Sequence, residues 1–99
     1  MMVSGSSEGV METDEARLKR LAMRSWRRGT KEMDLVFGPY ADAHLAAMSA
    51  GDLEVYDGLL DENDQDLALW VMGTGDAPDR FGGLIGKISA FARERLRRG

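Results

Sequence analysis

Between Arg28 and Glu32 the chain sets a guanidinium, a residue without a side chain and a carboxylate within one short run, Arg28-Gly29-Thr30-Lys31-Glu32. Such a run can act on another molecule. Arginine donates charge-assisted hydrogen bonds, glutamate accepts them, and glycine holds no side chain between two approaching surfaces. The same run would also serve as a plain connector between two helices, and spacing alone does not separate the readings. Arg24, Arg27 and Arg28 together raise a further alternative, a minor nucleic-acid-binding module, because neutralising phosphates drives such binding. The net charge of −4 weighs against it, as does the lack of a recognition-helix pattern.

The remaining chemistry-bearing residues are weaker. His44 with Asp42 nearby has the composition of an acid–base pair, but His44 falls on the apolar stripe of its segment, which predicts a satisfied, partly buried imidazole. Asp61-Glu62-Asn63-Asp64-Gln65-Asp66 opens like a calcium loop, yet position six is Asp66 rather than glycine and position twelve is Met72 rather than glutamate. With no cysteine and a single histidine, disulfides, thiolate metal sites and zinc sites are not expected. The glycines at 73, 75, 82, 83 and 86 follow no predicted strand, so they do not form a dinucleotide-binding turn. Trp26 and Trp70 stand in helical phase with leucines and read as core residues. No nucleophile, base and acid converge, and the expectation is a protein that is not an enzyme and carries no cofactor or metal of its own.

These residues must be positioned by helices. Thr13 can cap a helix whose first turn holds Asp14 and Glu15 and whose inner face is Leu18, Leu21, Ala22, Ser25 and Trp26. Gly29 is expected to end it in a left-handed conformation, and Thr30 to cap the next. The stripe Met33, Val36, Phe37, Tyr40, Ala41, His44, Leu45, Met48 defines that second helix, with a kink expected near Pro39. Ser49 with Asp52 resembles a capping box ahead of Leu53, Tyr56, Leu59 and Leu60. A fourth helix starts at Asp64, buries Leu67, Trp70 and Val71 and stops at Gly73-Thr74-Gly75; a fifth follows Pro78 through Phe81, Leu84, Ile85, Ile88 and Phe91. Gly82, Gly83 and Gly86 weaken that last helix, and a close approach by a neighbouring helix would explain them. The fold class is therefore all-α, a compact five-helix bundle over residues 13–99 behind a disordered tail, 1–12.

Charge is segregated along the chain. No lysine or arginine stands between Lys31 and Arg80, where the acids concentrate. Basic outer helices lying against acidic middle ones is one reading, and a basic face for an acidic or phosphate-bearing partner is the other. No apolar run approaches the roughly 18 residues that span a bilayer, so no direct membrane insertion is expected. Residues 1–12 have neither the basic, apolar plan of a secretory signal nor the arginines of a transit peptide, which places the protein in the cytoplasm on this reading.

The segment Arg24-Ser25-Trp26-Arg27-Arg28-Gly29-Thr30-Lys31-Glu32-Met33-Asp34 resembles the signature of the succinate dehydrogenase flavinylation-factor family, Arg-Gly-x-x-Glu between the first two helices. Phe37-Gly38-Pro39-Tyr40-Ala41-Asp42, then Leu59-Leu60 with Asp64-Gln65-Asp66-Leu67 and Trp70, then Pro78 with Leu84, Ile85, Ile88 and Phe91 continue the resemblance in order over about residues 14–92. The resemblance implies a five-helix assembly factor, a bacterial cytoplasmic one given the first dozen residues. It would promote covalent attachment of FAD to the flavoprotein subunit of succinate dehydrogenase, with fumarate reductase as a second candidate. Arg28, Gly29 and Glu32 would form its partner-binding site, the FAD would belong to the partner, and the free factor would be a monomer. A generic protein–protein adaptor is the alternative.

Overall fold

Each of the first four helices begins on a short polar side chain that accepts a backbone N–H. In the computed structural model, which describes residues 12–98, Thr13 Oγ1 accepts from Ala16 at 3.0 Å and Thr30 Oγ1 from Met33 at 3.3 Å. Ser49 Oγ accepts from Asp52 at 3.1 Å, and Asn63 Oδ1 from Asp66 at 2.9 Å. Each such cap is worth about 1 kcal/mol. They open α1 (Asp14–Ser25), α2 (Lys31–His44), α3 (Ala50–Leu60) and α4 (Asp64–Met72); α5 covers Asp79–Arg98, and a 3-10 turn, Leu45–Ala47, follows α2. The expected all-α bundle of five helices is what forms, with no strand among the described residues. Apart from Glu12, the expected tail lies outside them.

The middle of the bundle is α2, which packs against α1, α4 and α5 and buries Met33, Phe37, Tyr40 and Ala41. Its helix runs through Pro39 and ends five residues later at His44. There the 3-10 turn hands the buried slot to Leu45 and turns His44 to the surface, its ring 4.6 Å from Tyr40 and 5.2 Å from Phe91. The expectation of a partly buried histidine is therefore corrected. Trp26 is corrected likewise: it is 41% exposed and lies flat on α2, where a Cβ on Gly38 would stand 2.3 Å from its ring. Its Nε1 donates to the Asp42 carboxylate at 3.2 Å, so Asp42 serves the tryptophan and not His44.

Two buried hydroxyls tie helices together. Ser25 Oγ donates to Leu21 O at 2.7 Å, so the 2.6 Å contact between Ser25 Oγ and the Tyr56 hydroxyl has tyrosine as donor, joining α1 to α3. Ser89 Oγ donates to Val71 O at 2.7 Å, satisfying a carbonyl in the last turn of α4 from α5.

Left-handed backbone occurs at Gly73, φ 80°, where it terminates α4. Gly29 does not adopt it, because α1 already ends with Trp26 as a right-handed cap. Nor do Gly82, Gly83 and Gly86 admit a neighbouring helix: the space where their Cβ atoms would stand is open, and Phe81, Ile85 and Ile88 make the contacts instead. Alanine there removes backbone freedom from the unfolded chain at no steric cost. Gly86→Ala is expected to raise unfolding free energy by about 0.5–1 kcal/mol in urea titration, and a loss would mean that α5 is packed on that side.

Burial pushes the Tyr56 phenol from 10.0 up to about 12. The neutral phenol is the form favoured by folding, so its contribution is complete below pH 10.0 and disappears as pH rises to about 12. Urea titrations across that window should show a steeper loss of stability for the native chain than for Tyr56→Phe; parallel curves would place the alkaline transition elsewhere.

Candidate functional site

The turn between α1 and α2 is held from beneath by its own arginine. Arg28 Nε donates to Asp64 Oδ1 at 2.9 Å, Nη1 to Leu60 O at 2.8 Å and Nη2 to Glu62 O at 2.9 Å. Leu60 and Glu62 carry carbonyls at the end of α3 that have no partner within the helix, and Asp64 is the first residue of α4. A cation at one helix C-terminus and a carboxylate at the next N-terminus are each favourable with the helix dipoles. One guanidinium therefore ties the α1–α2 turn to the α3–α4 turn. Its side chain is 10% exposed and that of Asp64 12%, and the guanidinium lies 5.9 Å from the centre of the Phe37 ring.

Two further contacts stiffen the turn. The Arg28 backbone N–H donates to the Asp34 carboxylate, reaching back across the Thr30 cap. Arg24 also reaches the end of α3, donating to Leu60 O, Asp57 and Asp61, each at 3.0 Å. Arg20 donates to Asp57 at 2.8 Å and to Glu12 at 2.7 Å; its hydrogen bonds hold both carboxyls below their usual range. Basic α1 thus lies against acidic α3, as one of the two charge readings anticipated. The basic end of α5 does not follow that plan: Arg93 donates to Ser89, and Arg97 pairs with Glu94 of its own helix.

The three residues singled out by the sequence are consequently not equivalent. Glu32 is exposed and makes no side-chain hydrogen bond or ion pair among the described residues. Gly29 has exposed backbone, but its missing side chain faces inward, since a Cβ there would stand 2.6 Å from Asp64 Oδ2. That oxygen is buried and has no hydrogen-bond partner among the described residues. Arg28 points into the bundle, and the expectation that its guanidinium faces outward is corrected: its donors serve α3 and α4.

Sequence reasoning missed Asp34 and Asp64 as parts of this site. The signal for Asp64 was present, an acid directly after a capping residue, Asn63, at a helix start, but it was masked by the calcium-like acidic run. Asp61 and Asp64 of that run accept from Arg24 and Arg28 respectively.

Removing Arg28 would strand Asp64 without its counter-charge, an effect that costs about 3 kcal/mol when a buried pair loses one member. Arg28→Ala is therefore expected to lower unfolding free energy by about that amount, and Gly29→Ala by about 1 kcal/mol through displacement of Asp64. Glu32→Ala should stay within about 0.5 kcal/mol of the native chain. Equal stability of Arg28→Ala and the native chain in urea titration would contradict this arrangement.

Comparison with known proteins covers the same elements. Residues 19–92 match the family model described as flavinator of succinate dehydrogenase. The chain is similar to proteins named succinate dehydrogenase assembly factor 2, mitochondrial. That of Meyerozyma guilliermondii is 40% identical over 73 residues, 71% of this chain and 54% of that protein. That of Schizosaccharomyces pombe is 37% identical over 70 residues, 71% and 50% of the two chains. That of Candida glabrata is 31% identical over 91 residues, 87% and 60%. The chain spans about half the length of the curated relatives it matches. The expectation of a bacterial cytoplasmic protein is overturned, because these relatives are mitochondrial proteins of fungi. It rested on the composition of residues 1–12, which does not decide a compartment in a chain matching only part of its relatives.

Proposed function

The chain belongs to the family of succinate dehydrogenase flavinators, and from that premise we propose that it promotes covalent attachment of FAD to the flavoprotein subunit of succinate dehydrogenase, docking through the Arg-Gly-x-x-Glu turn. It works by binding and not by catalysis. The flavin and the side chain that receives it both belong to the flavoprotein, and fumarate reductase is a second candidate partner of the same chemistry.

The observation that carries this reading is the division of labour within the turn. Glu32 is exposed and uncommitted, on backbone fixed by Arg28, Asp34 and Asp64. A carboxylate on rigid backbone loses side-chain freedom alone, and no backbone freedom, when it accepts charge-assisted hydrogen bonds from a partner. Gly29 contributes its exposed backbone, and Arg28 acts as a positioning residue beneath it. By binding one conformer of the flavoprotein more tightly than the others, such a surface raises the fraction of molecules ready for bond formation. Orientation of reacting groups within the partner then supplies the acceleration.

The test is covalent flavin itself, read as ultraviolet fluorescence of the denatured flavoprotein band after co-expression with native chain or Glu32→Ala. The variant should keep the native unfolding midpoint and lower band fluorescence about tenfold, the effect of losing roughly 1.4 kcal/mol of binding. Undiminished fluorescence with Glu32→Ala discards the turn as the docking site.

A further inference from the structure

A groove of about 730 Å³ runs along the outer side of α1 and ends at the turn. Its lining sets the apolar side chains of Ala16 and Met23 among the cations Lys19, Arg20, Arg24, Arg27 and Arg28. Ala16, Lys19 and Met23 recur at helical spacing, Arg27 follows just past the helix end, and Gly29 and Asp64 close the far end. Met23 is 46% exposed, a large apolar side chain left in solvent.

The cations of this groove are of two kinds. Arg20 and Arg24 form part of its lining, but their guanidinium groups already pair with Glu12, Asp57 and Asp61. Lys19 and Arg27 are exposed and form no ion pair among the described residues. Asp64 is the one acid of the lining among the described residues, and it is spent on Arg28. The groove therefore presents uncompensated positive charge around a methionine, a side chain that adapts to varied apolar shapes.

We propose that this groove receives an acidic segment of the flavoprotein partner, one apolar side chain of which seats on Met23 between Lys19 and Arg27. The inference rests on the docking role proposed for the turn and extends that surface, because Gly29 belongs to both. Charge complementarity selects the occupant: the chain as a whole is acidic, with net charge −4, and the positive groove is a place where an acidic surface can approach without repulsion. Nucleic acid is the less suited polyanion, since no aromatic side chain among the described residues lines the groove as a stacking platform.

The experiment measures affinity of the full chain for the purified flavoprotein subunit of succinate dehydrogenase at about 0.1 M and about 0.5 M salt, a range over which exposed charge pairs become screened. Variants are Lys19→Glu with Arg27→Glu, Met23→Ser, and Glu32→Ala as the turn control. Far-UV circular dichroism and unfolding midpoints establish that each remains folded. The charge reversal should weaken binding at least about tenfold at low salt, the difference shrinking at high salt. Met23→Ser should weaken it several-fold at both salts. Native affinity in both groove variants, with loss confined to Glu32→Ala, overturns the groove while leaving the turn in place. Loss in the groove variants with none in Glu32→Ala supports the groove and removes the turn. Failure of the native chain to bind the flavoprotein overturns both. Tight binding of a mixed-sequence oligonucleotide, abolished by the charge reversal while flavoprotein binding is unchanged, assigns the groove to nucleic acid and overturns the proposal.

Discussion

A guanidinium buried inside a small bundle must find acceptors for nearly all its N–H groups, and at Arg28 that requirement organises two loops at once. Two acceptors are carbonyls at the end of α3 that the helix leaves unfilled, and the third is the Asp64 carboxylate at the start of α4, a helix already capped by Asn63. A chain of 99 residues has little core to spend on rigidity, and this one side chain fixes the α1–α2 turn with polar contacts where apolar ones are scarce. The positional order of Glu32 follows from that.

The same demand explains where positive charge is left over. Arg20 and Arg24 lean toward α3 because Asp57 and Asp61 stand on its facing side, and their charge is consumed there. Lys19 and Arg27 line the same groove as Arg20, Met23 and Arg24 but pair with no acid among the described residues.

Much of the fold was legible in the residues. Thr13, Thr30 and Ser49 declared three helix starts, and the stripes around Phe37, Leu59 and Ile88 declared the buried faces, because capping and periodicity are local. What failed was whatever depended on a neighbour distant in sequence. His44 kept the phase of its stripe but left the core where α2 tightened into a 3-10 turn. Gly29 looked like a helix terminator and proved to be a space reserved for Asp64, and Gly82, Gly83 and Gly86 proved to reserve none. The candidate site was legible as a segment and not as an arrangement: Arg-Gly-x-x-Glu marked the place, but the acceptor of Arg28 lies 36 residues away. Sequence spacing carries no information about such a pairing.

The contact between Gly29 and Asp64 makes positions 29 and 64 a single heritable unit. A side chain at 29 is admissible only if the residue at 64 shrinks or its carboxylate shifts, and either change disturbs the anion that Arg28 pairs with. Drift at one of the two positions is thus felt at the other, and the arginine that pairs with Asp64 is drawn in as well. Among descendants of this chain the three should persist together or be replaced together, a statement about ancestry that follows from one distance of 2.6 Å.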